Sequence, residues 1–302
     1  MLTQAVESYV AVRRAAGFAF GSAGILLKRF AAFSEARGES CVRASVAMEW
    51  AGMARSVPQR ARRLGIVIRF ARYLRAEDQR HEIPPVVFGA EKRTRPVPYI
   101  LSQDEIRRVI QAASQSGYRT LRRATYSTLF ALLACTGLRV SEAIRLRLGD
   151  ITPDGLVIRR SKFRKSRLVP LHDTVRPGLE RYLQQRCPYA PGDDHVFVSL
   201  RRKPLLLHDV EIAFRTAARA GGLPSGPGHP RPTPHSLRHT FAVRALQACP
   251  DGREAITQNM LSLSTYLGHG KVADTYWYLQ AVPDLMSEIA DRCERFVMGG
   301  GA

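Results

Sequence analysis

Three short segments concentrate the residue types that can act on a charged substrate: ACTGLRVSEAIRL (134–146), TPHSLRHTFAVRAL (233–246) and YLGHGKVADTYWYL (266–279). In the second, Thr233 can cap a helix and Pro234 suits its first turn. His235, Arg238 and His239 then stand at i, i+3 and i+4 on one face, while Leu237, Phe241 and Ala245 form an apolar stripe. A helix start bearing His and Arg is an anion site, because free N–H groups and the helix dipole already favour negative charge there. His235 and His239 also have the H-x-x-x-H spacing of zinc ligands. Ser236 stands where a metalloprotease would carry Glu, and no third ligand is evident, so no metal is expected.

The elements that must hold these segments are mostly helical. Ser102 with Glu105 three residues on is a capping box opening a helix through Ala113. Residues 124–135 predict a buried apolar helix ended by Gly137, and Ser141–Arg147 another. Residues 156–160 and 167–171 predict two short strands joined by the basic turn Ser161–Ser166. Further helices are predicted over 208–220, 234–247, 257–266 and 272–280, then an amphipathic tail with Leu285, Ile289, Cys293 and Phe296.

The first ~80 residues read as short helices. Val6, Val10, Val12 and Phe18, then Ile25, Leu26, Phe30 and Phe33, recur at helical spacings, punctuated by Gly17 and Gly38. Ala61–Ala76 sets Leu64, Ile68, Ala71 and Leu74 against Arg62, Arg63, Arg69, Arg72 and Arg75. Arg62, Arg69 and Arg72 fall near one another, a face that either is solvated or meets phosphates. Four prolines within 84–98 stop regular structure. The expected architecture is mainly α with one small antiparallel sheet: a helical N-terminal domain (1–83), a basic Pro-rich linker (84–100) and a second domain (101–302).

Composition narrows the partner. With 45% hydrophobic and 24% charged residues, the 302-residue chain has the make-up of a folded protein. Its 46 bases against 26 acids give a formal net charge of +20, and residues 1–95 alone hold 17 bases and 8 acids. An excess on both halves favours a polyanion that touches both. No apolar run approaches the ~18 residues that span a bilayer, and MLTQAVESYVAVRR lacks a secretory h-region. A cytoplasmic protein with no membrane partner is therefore expected. Five scattered cysteines without a C-x-x-C pair fit a reducing compartment. Neither a P-loop nor G-x-G-x-x-G is present, so no nucleotide cofactor is expected.

Taken in order, T-G-L-R-x-S-E, a basic hairpin, H-x-L-R-H-T, L-G-H and a Tyr about nine residues on, the pattern resembles the tyrosine recombinase (phage integrase) family across roughly residues 100–280. Residues 1–90 resemble that family's DNA-clamping N-terminal domain only in being helical and basic. The resemblance implies site-specific DNA recombination, by an integrase or transposase of a mobile element, in a bacterial cytoplasm at the nucleoid. It implies double-stranded DNA as substrate and no cofactor. It further implies four protomers on paired sites, the C-terminal helix docking on a neighbour, with accessory proteins where the reaction needs them.

Roles follow by position. Arg139 and Arg238 would clamp the non-bridging oxygens of the scissile phosphate with their planar forks. Lys162, in SKFRKSR, would protonate the departing 5′-oxygen; Ser161 and Phe163 stand where the family has glycines, and Lys165 competes for the role. His235 would assist proton transfer or hold the phosphate, His269 would hydrogen-bond a phosphate oxygen, and His239 would be a buried histidine orienting its neighbours. Tyr266, Tyr276 and Tyr278 compete as nucleophile, and the count from His269 favours Tyr278. Arg62, Arg69, Arg72, Lys92, Arg93, Arg164 and Lys165 are the expected further DNA contacts. Two other readings share these residues: a DNA-binding protein without chemistry, and a type IB topoisomerase or hairpin resolvase.

Overall fold

The computed structural model describes residues 1–89, 97–116, 120–159, 166–224, 226, 230–248 and 253–268, with Thr275, Trp277 and Tyr278. It divides into two units, Met1–Arg95 and Pro96–Ala302. In the first, α1 (Leu2–Ala15), α2 (Gly21–Glu35), α3 (Ala44–Gly52) and α4 (Val57–Arg75) enclose Val6, Tyr9, Leu27, Phe30, Trp50, Val67 and Phe70. The expected apolar stripe is shifted. Val12, Phe18 and Ile25 lie on the surface, because α1 packs through Leu2, Val6, Tyr9 and Val10, leaving Val12 about 200° around the helix from Val10. The Phe18 ring is covered instead by the Arg13 guanidinium, 4.1 Å from its centroid.

On α4, Leu64, Ile68, Ala71 and Leu74 are buried as the periodicity predicts, and Arg62, Arg69 and Arg72 are exposed on the opposite side. Arg63 is a packing residue: it donates to the Trp50 carbonyl (3.3 Å) and lies 5.1 Å over the indole. The Pro-rich stretch 84–100 straddles the division, and each end packs on its own unit. Phe88 joins the first core, while Tyr99 and Ile100 pack on clusters of the second. The Leu101 amide donates to Thr240 Oγ1 at 2.9 Å.

The second unit is built on α6 (Thr120–Thr136), whose Leu129, Phe130 and Leu133 are fully buried. Truncating such residues costs about 2–5 kcal/mol each, so this helix anchors the unit. Around it pack α5 (Gln103–Gln115), α8 (Arg176–Tyr189), α9 (Leu207–Ala220) and α10 (Pro234–Gln247). The α5 capping box forms as read: Ser102 Oγ accepts from the Glu105 amide (3.1 Å) and Glu105 Oε2 from the Ser102 amide (2.8 Å). A second cluster joins α10 to α11 (Arg253–Leu267) through Ala242, Val243, Leu246, Met260, Leu263 and Leu267, and Tyr278 belongs to it.

The sheet has three antiparallel strands in the order β1 (Ile151–Thr152), β2 (Gly155–Ile158), β3 (Arg167–Val169), with Leu156 opposite Ile151 and Val169. Its turn from β1 needs Gly155, which has φ +141°, and a Cβ there would sit 2.3 Å from the Val169 carbonyl oxygen. The helix expected over Ser141–Arg147 is one turn, α7 (Val140–Ala143). It stops because the chain must reach β1, and the Asp150 carboxylate accepts the Arg147 amide (3.0 Å) to set that bend. Cys41, Cys135 and Cys187 are free thiols. No helix among the described residues is long and apolar enough to cross a membrane.

Candidate active site

The ends of three elements, each from one of the three motif segments, meet and are braced by arginines. Gly137, with φ +59°, ends α6 and turns the chain into Arg139. A Cβ at Gly137 would lie 2.5 Å from the Phe241 ring, so the glycine also lets α6 and α10 approach. Arg238, on α10, donates from Nη1 to the Gly137 carbonyl (2.7 Å) and from Nη2 to the Leu267 carbonyl at the end of α11 (2.8 Å). Arg139 donates from Nη2 to the Gly268 carbonyl (3.0 Å) and from Nη1 to Glu142 Oε1 (2.9 Å). The two guanidiniums therefore tie residues 137–139 to residues 267–268 from both sides. Gly268, with φ +63°, is the residue after α11, where a left-handed conformation ends the helix.

Arg238 is 2% exposed, and burial first, then Arg139, pushes its pKa down to about 10. Tyr278 and Glu142 oppose that shift, and the group stays cationic at neutral pH. His235 sits one turn earlier. Loss of solvation and then the charges of Arg238 and Arg139 lower its pKa to about 4, although the residue as a whole remains exposed. His235 is therefore neutral at neutral pH.

Behind Arg139 lies a network that sequence reasoning did not single out. The buried Glu142 carboxylate accepts from the Arg139 amide (3.0 Å) and from Arg167 through Nη1 (3.1 Å) and Nη2 (2.9 Å). Arg167, in β3, also donates from Nε to the Tyr266 carbonyl (2.7 Å), and a Cβ on Gly268 would come within 2.9 Å of its Nη1. Burial alone would raise the Glu142 pKa, but the hydrogen bonds and charges of Arg167 and then Arg139 hold it below the ordinary value. The signal for Glu142 was present at i+3 from Arg139 in TGLRVSE. Arg167, the last base of the hairpin pattern, is paired with it across 25 residues.

Tyr278 is 3% exposed, and its Oη lies 3.3 Å from His239 Nδ1. His239 is only partly buried, and its ring meets His235 edge-on (centroids 4.5 Å, 82°) as well as Trp277 (5.2 Å). Tyr266 is differently engaged: it stacks on Phe241 (5.4 Å, 17°), and burial pushes its pKa up to about 12. Of the expected site residues, Arg139, His235, Arg238 and Tyr278 are brought together. Lys162, Arg164, Lys165, His269, Lys92 and Arg93 lie outside the described residues, as do Tyr276 and the tail 284–297.

A buried arginine fork beside a second arginine, with a phenol in contact with an imidazole, has the groups that phosphoryl transfer to tyrosine calls for. Comparison with known proteins agrees. Residues 100–283 match the Phage integrase family. The chain is 38% identical to a putative integrase/recombinase, y4rB, of Sinorhizobium fredii, over 97% of this chain and 96% of that protein. It is 31% identical to the tyrosine recombinase XerD of Caulobacter vibrioides, over 76% of this chain and 72% of that one. The structure of the Tn1549 transposon integrase in complex with transposon right end DNA is similar with a TM-score of 0.64 at 18% identity, covering 96% of this chain and 98% of that one, a likeness of fold. The chain belongs to the phage integrase family. It is a site-specific tyrosine recombinase, an enzyme that cleaves and rejoins DNA.

Proposed function

We propose that the recombinase serves a mobile element as integrase or transposase, and that Arg139, His235, Arg238 and Tyr278 carry its chemistry with Lys162 and His269. The observation that carries this reading is the bracing of residues 137–139 and 267–268 by Arg139 and Arg238, next to Tyr278. Tyr278 Oη attacks the scissile phosphorus and the P–O5′ bond breaks. A 3′-phosphotyrosyl bond forms, and Lys162 supplies the proton that leaves with the 5′-hydroxyl. A 5′-hydroxyl from a partner duplex then reverses the step. Negative charge grows on the non-bridging oxygens in the transition state, so N–H donors fixed in advance stabilise it over the ground state. Neutral His235 can donate one N–H to the same oxygens. Four protomers on two duplexes, joined through the tail 284–297, are the assembly that the family resemblance supports, with accessory proteins where a site requires them.

The test is capture of the intermediate. Tagged wild type and Tyr278→Phe are purified under denaturing conditions from cells carrying the native DNA context, and covalently attached DNA is sequenced. Discrete ends on wild type alone are expected. Adduct on both would move the nucleophile to another tyrosine.

The first unit is proposed to clamp the duplex through the exposed α4 face. Arg69→Ala and Arg72→Ala should each weaken binding across all DNA sequences and lower the slope of log K against log salt by about 1, since each phosphate contact releases ~0.9 counterion. Titration by fluorescence anisotropy at several salt concentrations reads this. An unchanged slope would make the face merely solvated.

A further inference from the structure

We propose that His239 is the group that takes the proton from Tyr278 as its oxygen attacks the phosphate. The inference rests on Tyr278 being the nucleophile. His239 Nδ1 lies 3.3 Å from Tyr278 Oη, across 39 residues of chain. The imidazole is held on three sides, by His235 edge-on at 4.5 Å, Trp277 at 5.2 Å and Tyr278 at 5.4 Å between centroids, so its nitrogen stays aimed at the phenol. At 3% exposure, Tyr278 has little water to serve as base. A phenol of ordinary pKa near 10 is about one part in a thousand ionised at neutral pH, so a base in contact removes a real barrier. Beside it, loss of solvation, then Arg238 and Arg139, lower the pKa of His235, which weakens that imidazole as a base.

The step balances within the site. In the tautomer that carries its proton on Nε2, His239 accepts the phenol proton at Nδ1 while Tyr278 Oη bonds to phosphorus. The 5′-oxygen leaves with a proton from Lys162. On rejoining, the incoming 5′-hydroxyl returns its proton to Lys162, and His239 returns its own to the departing phenolate. His239 faces Tyr278, from the segment beyond α11, and His235 on its own helix, and the Arg238 charge acts on Tyr278. Arg238 favours the phenolate that results.

The probe is the DNA site captured on wild type, rebuilt as a synthetic nicked duplex from which the cleaved strand is lost, in single turnover from pH 6 to 10. His239→Asn is the decisive variant. Its amide oxygen falls near the position of Nδ1 and can accept the phenol hydrogen bond, but it cannot take the proton. Cleavage at pH 7 should fall ~10²-fold or more with DNA binding unchanged, and the defect should narrow as pH approaches the phenol pKa. Replacing Tyr278 by a ring-fluorinated tyrosine that ionises near neutrality should restore most of the rate to His239→Asn. Wild-type speed in His239→Asn, or a defect equal at every pH and untouched by the fluorinated nucleophile, would overturn the proposal. Should that variant fail to fold, the fluorinated nucleophile in an otherwise wild-type protein decides. An acid limb that stays near the histidine pKa supports the proposal, and one that moves with the phenol refutes it. Cleavage by Tyr278→Phe on the same duplex would instead refute the nucleophile assignment, a separate failure.

Discussion

Arg238→Ala is expected to slow strand cleavage ~10²–10³-fold and to weaken the second unit at once, because the side chain proposed to hold the phosphate also braces the fold. Removing a donor aimed at developing oxyanion charge costs about 10²–10³-fold in rate. Arg238 also satisfies the carbonyls of Gly137 and Leu267, each of which would be left unpaired at about 1–3 kcal/mol. The alanine variant should therefore unfold at visibly lower denaturant, with a shifted midpoint and an unchanged slope. Arg238→Lys separates the two effects. An ammonium keeps the charge but reaches only one of the two carbonyls and has no planar fork. Its stability loss should be smaller than that of alanine, while single-turnover cleavage should remain at least ~10²-fold down. Near-wild-type cleavage by the lysine variant would mean that charge alone suffices and that the fork geometry has no catalytic part.

That dual use explains what could and could not be read from residues in order. The capping box at Ser102–Glu105, the apolar run of α6 and the i, i+3 spacing of His235 and Arg238 are local, and local rules recover them. The shift of the first core away from Val12, Phe18 and Ile25 was not legible, since several apolar stripes fit those helices and tertiary packing selects one. Strand β1 has two residues, too few for an alternating pattern, and α8 opens on Pro177–Gly178 and contains Pro188, signals that read as loop. Arg139 and Arg238 could be singled out from the sequence as candidate phosphate clamps. Their attachment to carbonyls of residues 267 and 268 was not legible, because backbone acceptors carry no side-chain signature and lie up to 129 residues away. His239 shows the same limit. Its spacing announced a partner of His235, and only folding turned its Nδ1 to a tyrosine from the third segment.

Glu142 carries the second large effect, through charges it never shares with substrate. Its side chain is 7% exposed and accepts from two guanidiniums, so a neutral replacement leaves Arg139 and Arg167 facing each other without a counter-charge. Breaking a buried ion network by removing one partner costs about 3–5 kcal/mol, and Glu142→Ala should lose stability of that order. Glu142→Gln keeps the volume and one carbonyl oxygen, and should lose less stability. It should still slow cleavage, because its amide N–H₂ cannot accept from the Arg139 and Arg167 donors that the second carboxylate oxygen now satisfies. Proton linkage gives an independent check. The folded pKa of Glu142 lies below its ordinary 4.5, so its stabilising contribution is complete above that pH and is lost as pH falls through the lowered folded value. Wild type should shed part of its stability on acidification through this window, and Glu142→Gln should shed less, leaving the two closer at pH 3 than at pH 7. Equal acid sensitivity in the two proteins would mean that the carboxylate is not held by its arginines, and the rate defect of Glu142→Gln would then need another origin. If the linkage holds while cleavage is unaffected, Arg139 keeps its aim through the Gly268 carbonyl alone, and the network serves the fold rather than the phosphate.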